Sequence, residues 1–164
     1  KKKDIKKKKD IKKKKLKKEL SPLYLREGKR KFEHSLIREG KKKRAEKIYR
    51  IVLTRLRRRK YGVNGIEKLL SKLSPKIRLL DKKKGGATLK IPGIITEEQK
   101  LSLALRWFFR SLKERKEKKL VDRVYNEIKE VLKGKGRSLK KKEDYYKLAI
   151  YNRGFLRLFR KRRR

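Results

Sequence analysis

The excess of positive charge is the feature that most limits what this chain can fold into. Sixty-one Lys and Arg residues stand against eighteen Asp and Glu residues in 164 positions, which leaves a formal net charge of +43. Self-repulsion of this size opposes a compact state unless a polyanion neutralises it. Nucleic acid is therefore the first candidate partner, and an anionic membrane surface is the alternative.

Several protein classes find no support in the sequence. No apolar run approaches the roughly 18 residues of a transmembrane helix, and the first residues show no signal-peptide pattern. The chain has no Cys, which excludes disulfides and thiolate metal sites and fits a reducing compartment. It begins with Lys and contains no Met, which leaves open whether it is a processed product or a partial sequence.

The N-terminal part of the chain has the composition of a tail. Its first 19 residues, KKKDIKKKKDIKKKKLKKE, repeat with a six-residue period and cannot bury a core. We expect a basic, largely disordered or extended tail over residues 1–29 that contacts phosphates without a fixed shape. A single helical domain is expected over residues 30–164, with a basic C-terminal tail at about 157–164.

Six apolar stripes with helical spacing follow the tail, and Gly, Pro or capping residues separate them. They consist of Phe32, Leu36 and Ile37; of Ile48, Ile51, Val52 and Leu56; of Ile66, Leu69, Leu70 and Leu73; of Leu101, Leu105, Phe108 and Leu112; of Leu120, Val121, Val124, Tyr125, Ile128, Val131 and Leu132; and of Leu148, Ala149, Phe155, Leu156 and Phe159. Thr96 and Gln99 match a capping box before the fourth stripe. We interpret the stripes as the core of a mainly α protein, a bundle of about six helices.

A β-ribbon is predicted between the third and fourth helices, at about residues 76–92. Apolar residues recur at every second position on both sides of Gly85-Gly86, which predicts two strands with one apolar face that contains Ile77, Leu79, Leu89 and Ile91. The two glycines suit a tight hairpin turn, because glycine accepts positive φ. The ribbon is expected to protrude and to carry Lys82, Lys83, Lys84 and Lys90.

The sequence offers little for catalysis, so we expect no enzyme, cofactor or metal site. His34 is the single histidine and is expected at the surface. GKGR at 134–137 lacks the frame of a phosphate-binding loop and is interpreted as a helix stop. The acid pairs Glu97-Glu98 and Glu143-Asp144 are interpreted as residues at helix starts, where they stabilise the positive dipole end.

Basic residues remain as the candidates for binding. Lys41 to Arg44 follow Gly40 at a loop that enters a helix, a place where cations and free amides converge on a phosphate. The ribbon tip is a second basic element, and the C-terminal residues from Arg157 onward form a third. Trp107 could stack on a base, but its apolar neighbours favour a place in the core.

Four sequence blocks resemble the small-subunit ribosomal protein seven family. KFEHSLIREGKKKRAEKI at 31–48 resembles the family signature; Pro75, GGAT at 85–88 and Pro92 are similar to its ribbon. LALRW at 103–107 and LKKKEDYYKLAIYNRGF at 139–155 resemble two further blocks, the second ending in the family's Asn-Arg-x-Phe. The order and spacing hold across residues 30–157, whereas residues 1–29 show no family counterpart.

The resemblance implies a structural protein of the small ribosomal subunit. It implies binding to the 3′ major (head) domain of small-subunit rRNA, contacts with neighbouring small-subunit proteins, and a place near the exit-site tRNA and the mRNA exit path. The abundant Lys and the divergent ends suggest an organellar ribosome in the mitochondrial matrix, with the cytoplasm or another organelle as the alternative. A competing function is non-specific, linker-histone-like compaction of nucleic acid.

Charge and the matching blocks together predict a set of RNA-binding residues. The set consists of Lys31, Lys41, Lys42, Lys43, Arg44, Lys82, Lys83, Lys84, Gly85, Gly86, Thr88, Lys90, Arg106, Arg110, Lys113, Arg115, Lys140, Lys141, Asn152, Arg153 and Arg157.

Overall fold

A computed structural model of the chain describes residues 22–59 and 64–159. These residues form six α-helices and a two-stranded antiparallel sheet between the third and fourth helices, which confirms the predicted fold class. The elements are α1 (Pro22–His34), α2 (Lys42–Arg58), α3 (Gly65–Leu73), β1 (Arg78–Lys84), β2 (Ala87–Gly93), α4 (Glu97–Lys113), α5 (Leu120–Lys133) and α6 (Arg137–Tyr151), followed by a 3-10 helix (Asn152–Phe159). Predictions for residues 1–21 and 160–164 lie outside the described residues.

The described residues fall into two compact units, and the first of them ends at Ser71. In this unit α1 packs against α2, where the rings of Phe32 and Tyr49 lie 6.3 Å apart. Lys29 on α1 forms a 2.6 Å ion pair with Glu67 on α3. The buried apolar residues of the unit are Tyr24, Phe32, Leu36, Ala45, Val52, Leu56, Ile66, Leu69 and Leu70.

The first helix differs from the sequence-based expectation at both ends. It begins at Pro22, inside the segment expected to be a tail, because Tyr24, Gly28 and Phe32 form a buried stripe at four-residue spacing. Pro is well suited to the first turn of a helix. The predicted helix through Ile37 is wrong, since α1 ends at His34 and Glu39 and Gly40 adopt positive φ values of 52° and 70°.

The hairpin of β1 and β2, residues 78–93, is hereafter called the arm. Lys84 pairs with Ala87, so Gly85 and Gly86 form a two-residue loop with φ values of 55° and 78°. Positive φ at both central residues defines the type I′ turn, whose twist matches that of antiparallel strands. The predicted hairpin and its glycine turn are confirmed.

The predicted composition of the arm's apolar face is wrong in the first strand, because Ile77 lies before β1 and Leu79 does not share a face with Leu89 and Ile91. Leu80 lies opposite Ile91, and Leu79 lies opposite Pro92. Because cross-strand partners share a face, Leu80 joins Leu89 and Ile91, whereas Leu79 lies on the other face. The two-residue turn sets this register, and a shift of one residue moves a side chain to the opposite face.

Two adjacent tyrosines of α6 hold the base of the arm. The Tyr145 hydroxyl accepts a hydrogen bond from the backbone N–H of Leu79 at 2.5 Å. The Tyr146 hydroxyl accepts one from the backbone N–H of Lys76 at 2.7 Å. The 3-10 helix that follows α6 packs against β2. The base of the arm is thereby fixed to α6 and its extension, while residues 81–88 are exposed.

The second unit begins at Lys72 and has its own core among α4, α5, α6 and the arm base. Trp107 is buried and packs edge-on against Tyr145 at a centroid distance of 5.1 Å, which confirms its interpretation as a core residue. The buried apolar residues of this unit are Leu73, Ile91, Ile95, Leu101, Ala104, Leu105, Trp107, Phe108, Leu112, Val124, Ile128, Val131 and Ala149.

Arg115, in the loop after α4, forms ion pairs with three glutamates. Its Nη1 lies 2.7 Å from Glu127 Oε2 and 2.9 Å from Glu130 Oε2, and its Nη2 lies 2.8 Å from Glu117 Oε1. The Arg115 side chain is 9% exposed and that of Glu127 is 0% exposed. Since a buried carboxylate without a partner is costly, Arg115 makes the interior position of Glu127 possible.

Glu127 in turn caps the N-terminus of α6. Its Oε1 accepts a hydrogen bond from the backbone N–H of Ser138 at 2.9 Å and a second one from the Ser138 hydroxyl. The first amides of a helix have no partner within the helix, so this carboxylate of α5 takes the part of a capping residue. The side chains of Arg115 and Glu127 thus connect helices α5 and α6 with each other and with the loop that follows α4.

Arg115 also lowers the pKa of two carboxyl groups, those of Glu117 and Glu130. Its hydrogen bonds hold the pKa of Glu117 down to about 2 and lower the pKa of Glu130. A carboxyl group in an unfolded chain has a pKa of about 4.3. The resulting stabilisation is therefore present above that value and is lost as the pH falls through about 2.

Of the predicted signals for helix ends, those at the start of α4 and at the end of α5 are confirmed, whereas the one for Glu143-Asp144 is wrong. Glu97 and Glu98 lie in the first turn of α4, where the backbone N of Thr96 lies 3.5 Å from Gln99 Oε1 in the predicted capping box. Gly134 ends α5 with φ 88°, which confirms the helix stop. The prediction for Glu143-Asp144 is wrong, because α6 begins at Arg137 and the pair lies in its interior.

Replacing Arg115 with Met is expected to lower the free energy of unfolding by about 3–5 kcal/mol, because it leaves the Glu127 carboxylate buried without a cation. Lys116→Met is the matched control, since Lys116 is exposed in the same loop and its loss should change stability by no more than about 0.5 kcal/mol. Denaturant unfolding of both variants at neutral pH measures the difference. Equal small effects would show that the ion pairs are not structural.

Candidate nucleic-acid interface

Exposure separates the predicted RNA-binding residues into three groups. Lys141 is half-buried and forms an ion pair with Glu114. Arg115 and Asn152 have almost no accessible side chain. The remaining members are exposed: Lys31, Lys41, Lys42, Lys43, Arg44, Lys82, Lys83, Lys84, Gly85, Gly86, Thr88, Lys90, Arg106, Arg110, Lys113, Lys140, Arg153 and Arg157.

The first unit presents a basic cluster, Lys41 to Arg44, at the start of α2. Lys41 precedes the helix and pairs with Glu39, while Lys42 Nζ lies 4.0 Å from Glu46 one turn later. The first turn of α2 contains no acid. Because a helix N-terminus already carries partial positive charge, the added cations strengthen the local potential for an anion. Lys31 on α1 is also exposed, and it lies 3.9 Å from Glu27.

The arm carries its cations on both faces. The strand register puts Lys82 and Lys84 on one face and Lys83, Thr88 and Lys90 on the other. Asp81, the arm's single acid, is the cross-strand partner of Lys90. A Cβ added at either turn glycine would meet no atom of the described residues within 4 Å, so these residues do not crowd the turn. Phosphates can therefore approach Lys82, Lys83 and Lys84 from either side of the ribbon.

The helices of the second unit add further exposed cations. Arg106, Arg110 and Lys113 recur at four- and three-residue spacing along α4, which places them on one exposed face. Arg153 and Arg157 lie on the 3-10 helix that packs against β2. These last two cations are thus carried by an element in contact with a strand of the arm.

The structure does not support Arg115 and Asn152 as RNA contacts. All the terminal nitrogens of Arg115 are engaged by carboxylates. Asn152 is 8% exposed and ends α6, where its backbone N–H donates to Ile150 and Leu148 carbonyl oxygens. Arg115 stands in a run of charged residues, which hides its burial. The sequence signal that could have revealed this burial is the presence of three glutamates, Glu117, Glu127 and Glu130, close to Arg115 in a chain that contains few acids.

Tyr145 and Tyr146 are the residues that sequence reasoning missed. Their hydroxyls position the arm by accepting hydrogen bonds from the backbone N–H groups of Leu79 and Lys76. Two adjacent tyrosines in a helix rich in lysine were the only sign of this role in the sequence.

The described ranges, 22–59 and 64–159, contain neither a candidate metal site nor a candidate membrane span. No group of three or more His, Asp or Glu side chains there could hold a metal ion. Among the same residues, no helix has both the length and the apolar character required to cross a bilayer.

Comparison with known proteins decides the family. The sequence profile described as "Ribosomal protein S7p/S5e" matches residues 2–153. The chain belongs to this family. The match confirms the resemblance found in four blocks and extends it to residue 2, into the segment where no counterpart was found.

Curated relatives of the chain support the same assignment. A protein of Francisella philomiragia subsp. philomiragia named small ribosomal subunit protein uS7 is 34% identical over 128 residues, which cover 76% of this chain and 82% of the relative. A protein of the same name from Francisella tularensis subsp. novicida is 33% identical over 137 residues, which cover 82% and 87%. The similarity therefore extends over most of both chains.

Replacing Gly85 and Gly86 with Val is expected to weaken specific RNA binding without changing any charge. Both positions require positive φ, and forcing a β-branched residue into it costs on the order of 1–3 kcal/mol per position. Replacing both with Asn is the matched control, because Asn tolerates this conformation. Binding to head-domain rRNA and to a homopolymer is measured for each variant. If the Val variant keeps its preference for rRNA, the turn does not shape the interface.

Proposed function

We propose that the protein is a structural constituent of the small ribosomal subunit and that it catalyses no reaction. Membership of the ribosomal protein S7p/S5e family and the names of its relatives support this assignment. The net charge of +43 supports a polyanionic partner. Small-subunit rRNA and neighbouring ribosomal proteins are the partners that the assignment implies.

Within the subunit, the protein binds the 3′ major (head) domain of the rRNA and organises its assembly. The observation that carries this proposal is the arm, whose exposed lysines extend from a base held by two tyrosine hydroxyls. Cations on a fixed element contact phosphates at defined positions, whereas cations on a tail contact any phosphate. The arm therefore contributes geometry as well as charge.

Two finer proposals concern location, of which the family resemblance supports the first and the composition supports the second. The bound protein lies near the exit-site tRNA and the mRNA exit path. The ribosome in question is organellar, and the mitochondrial matrix remains the predicted compartment on the grounds of abundant Lys. Fractionation of source cells into mitochondria, other organelles and cytosol tests the compartment.

Co-sedimentation with small subunits tests the proposed function. The protein should migrate with the small-subunit peak in a density gradient, and the purified protein should prefer head-domain rRNA to duplex DNA at equal salt concentration. Equal affinity for both nucleic acids and absence from the small-subunit peak would favour the linker-histone-like alternative.

Replacing the three arm lysines should reduce the salt dependence of rRNA binding. Lys82→Ala, Lys83→Ala and Lys84→Ala together are expected to reduce the slope of log K against log salt by up to about 0.9 for each phosphate that is no longer neutralised, with the duplex DNA coefficient as a guide. Replacement of Lys116, Lys118 and Lys119 with Ala is the control, since it removes the same charge from exposed positions outside the arm. Equal reductions in both triple variants would mean that the arm acts only through net charge.

A further inference from the structure

Large hydrophobic side chains are exposed at the end of α6 and at the start of the 3-10 helix. Five such residues are exposed in the described chain, and four of them fall within residues 148–156: Leu148, Ile150, Tyr151 and Leu156. Ile150 is 72% exposed and Tyr151 is 83% exposed. The prediction that Leu148 and Leu156 belong to the core is therefore wrong. Their stripe is interrupted where the helix changes from 3.6 to 3 residues per turn after Tyr151.

Tyr151 is exposed on a backbone that is well fixed. Ala149, two residues before it, and Asn152, directly after it, are 2% and 8% exposed, so the segment is anchored in the interior at both positions. The backbone N–H of Asn152 donates to carbonyl oxygens of the last turn of α6, and the following 3-10 helix packs against β2. The ring of Tyr151 is thus presented to solvent from a rigid element, which reduces the entropy cost of binding a partner.

The segment around Tyr151 carries an excess of cations. Lys147 precedes it by one helical turn, is 79% exposed and lies 3.7 Å from the exposed Asp144, and Arg153 and Arg157 are exposed on the 3-10 helix that follows. No acid occurs between residues 145 and 164. Arg153 and Leu156 are three residues apart, so they lie on the same side of a 3-10 helix. Apolar and cationic groups therefore alternate over this short segment.

We infer that Tyr151 is a stacking platform for an unpaired RNA base, with Ile150 beside it and the phosphates of that strand bound by Lys147, Arg153 and Arg157. This inference rests on the proposed function, because it names residues that would bind RNA. Single-stranded nucleic acid offers a flat apolar base and one phosphate per nucleotide, which matches an aromatic ring among cations. A protein partner would need an apolar surface surrounded by acids to match the same segment.

A Tyr151→Ala variant tests the inference, with Tyr151→Phe as the conservative replacement that keeps the ring. Ile94→Ala is the matched control, since Ile94 is 95% exposed and lies outside the segment. The probes are a fluorescently labelled oligouridylate, an RNA duplex of the same length and head-domain rRNA. Loss of one base–aromatic stack is expected to weaken oligouridylate binding by about 5- to 150-fold in Tyr151→Ala, with no change for the duplex or in the two other variants.

A second variant reports on stacking directly. In Tyr151→Trp, the added indole emission should be quenched by oligouridylate and not by the duplex, after subtraction of the signal of the parent protein. Unchanged oligouridylate affinity in Tyr151→Ala, or equal weakening for single strand and duplex, overturns the inference. Loss of binding to another small-subunit protein with unchanged RNA binding also overturns it, in favour of a protein partner. Failure of the wild-type protein to bind head-domain rRNA would instead contradict the proposed function.

Discussion

The second unit depends on the buried contact between Arg115 and Glu127. Glu127 is fully buried and would be unstable there without the guanidinium 2.7 Å away. Its other oxygen accepts the hydrogen bonds of Ser138 at the start of α6. About two turns further along the same helix, Tyr145 and Tyr146 accept hydrogen bonds from the base of the arm. A continuous series of contacts therefore runs from a buried ion pair to an exposed hairpin.

The distribution of acids explains how so cationic a chain presents charge at defined places. Only eighteen Asp and Glu residues are present, and three of the glutamates surround Arg115. Within residues 78–93 the only acid is Asp81, opposite Lys90. The arm therefore keeps the positive charge of Lys82, Lys83 and Lys84, which a polyanion can neutralise. We regard this division between structural acids and exposed cations as the physical basis of the proposed rRNA binding.

Much of the fold could be predicted because it depends on local patterns. Apolar stripes at helical spacing identified most helices, and Gly85-Gly86 identified the hairpin turn, since both signals act within a few residues. Features that depend on distant partners could not be predicted in this way. Arg115 contacts Glu127 and Glu130 from another helix, and Leu80 is assigned to the apolar face by its cross-strand partner Ile91. Gly28 interrupts the apolar pattern of α1, which concealed eight residues of helix.

The central claim is that α6 positions the arm through two tyrosine hydroxyls, and hydrogen exchange tests it most directly. The amides of Lys76 and Leu79 should be protected in the wild-type protein, and both should exchange faster in a Tyr145→Phe/Tyr146→Phe variant, which lacks the acceptors. The same variant should lose preference for head-domain rRNA while it keeps its affinity for a homopolymer. Unchanged protection of the two amides, or faster exchange with an unchanged preference for rRNA, would contradict the account.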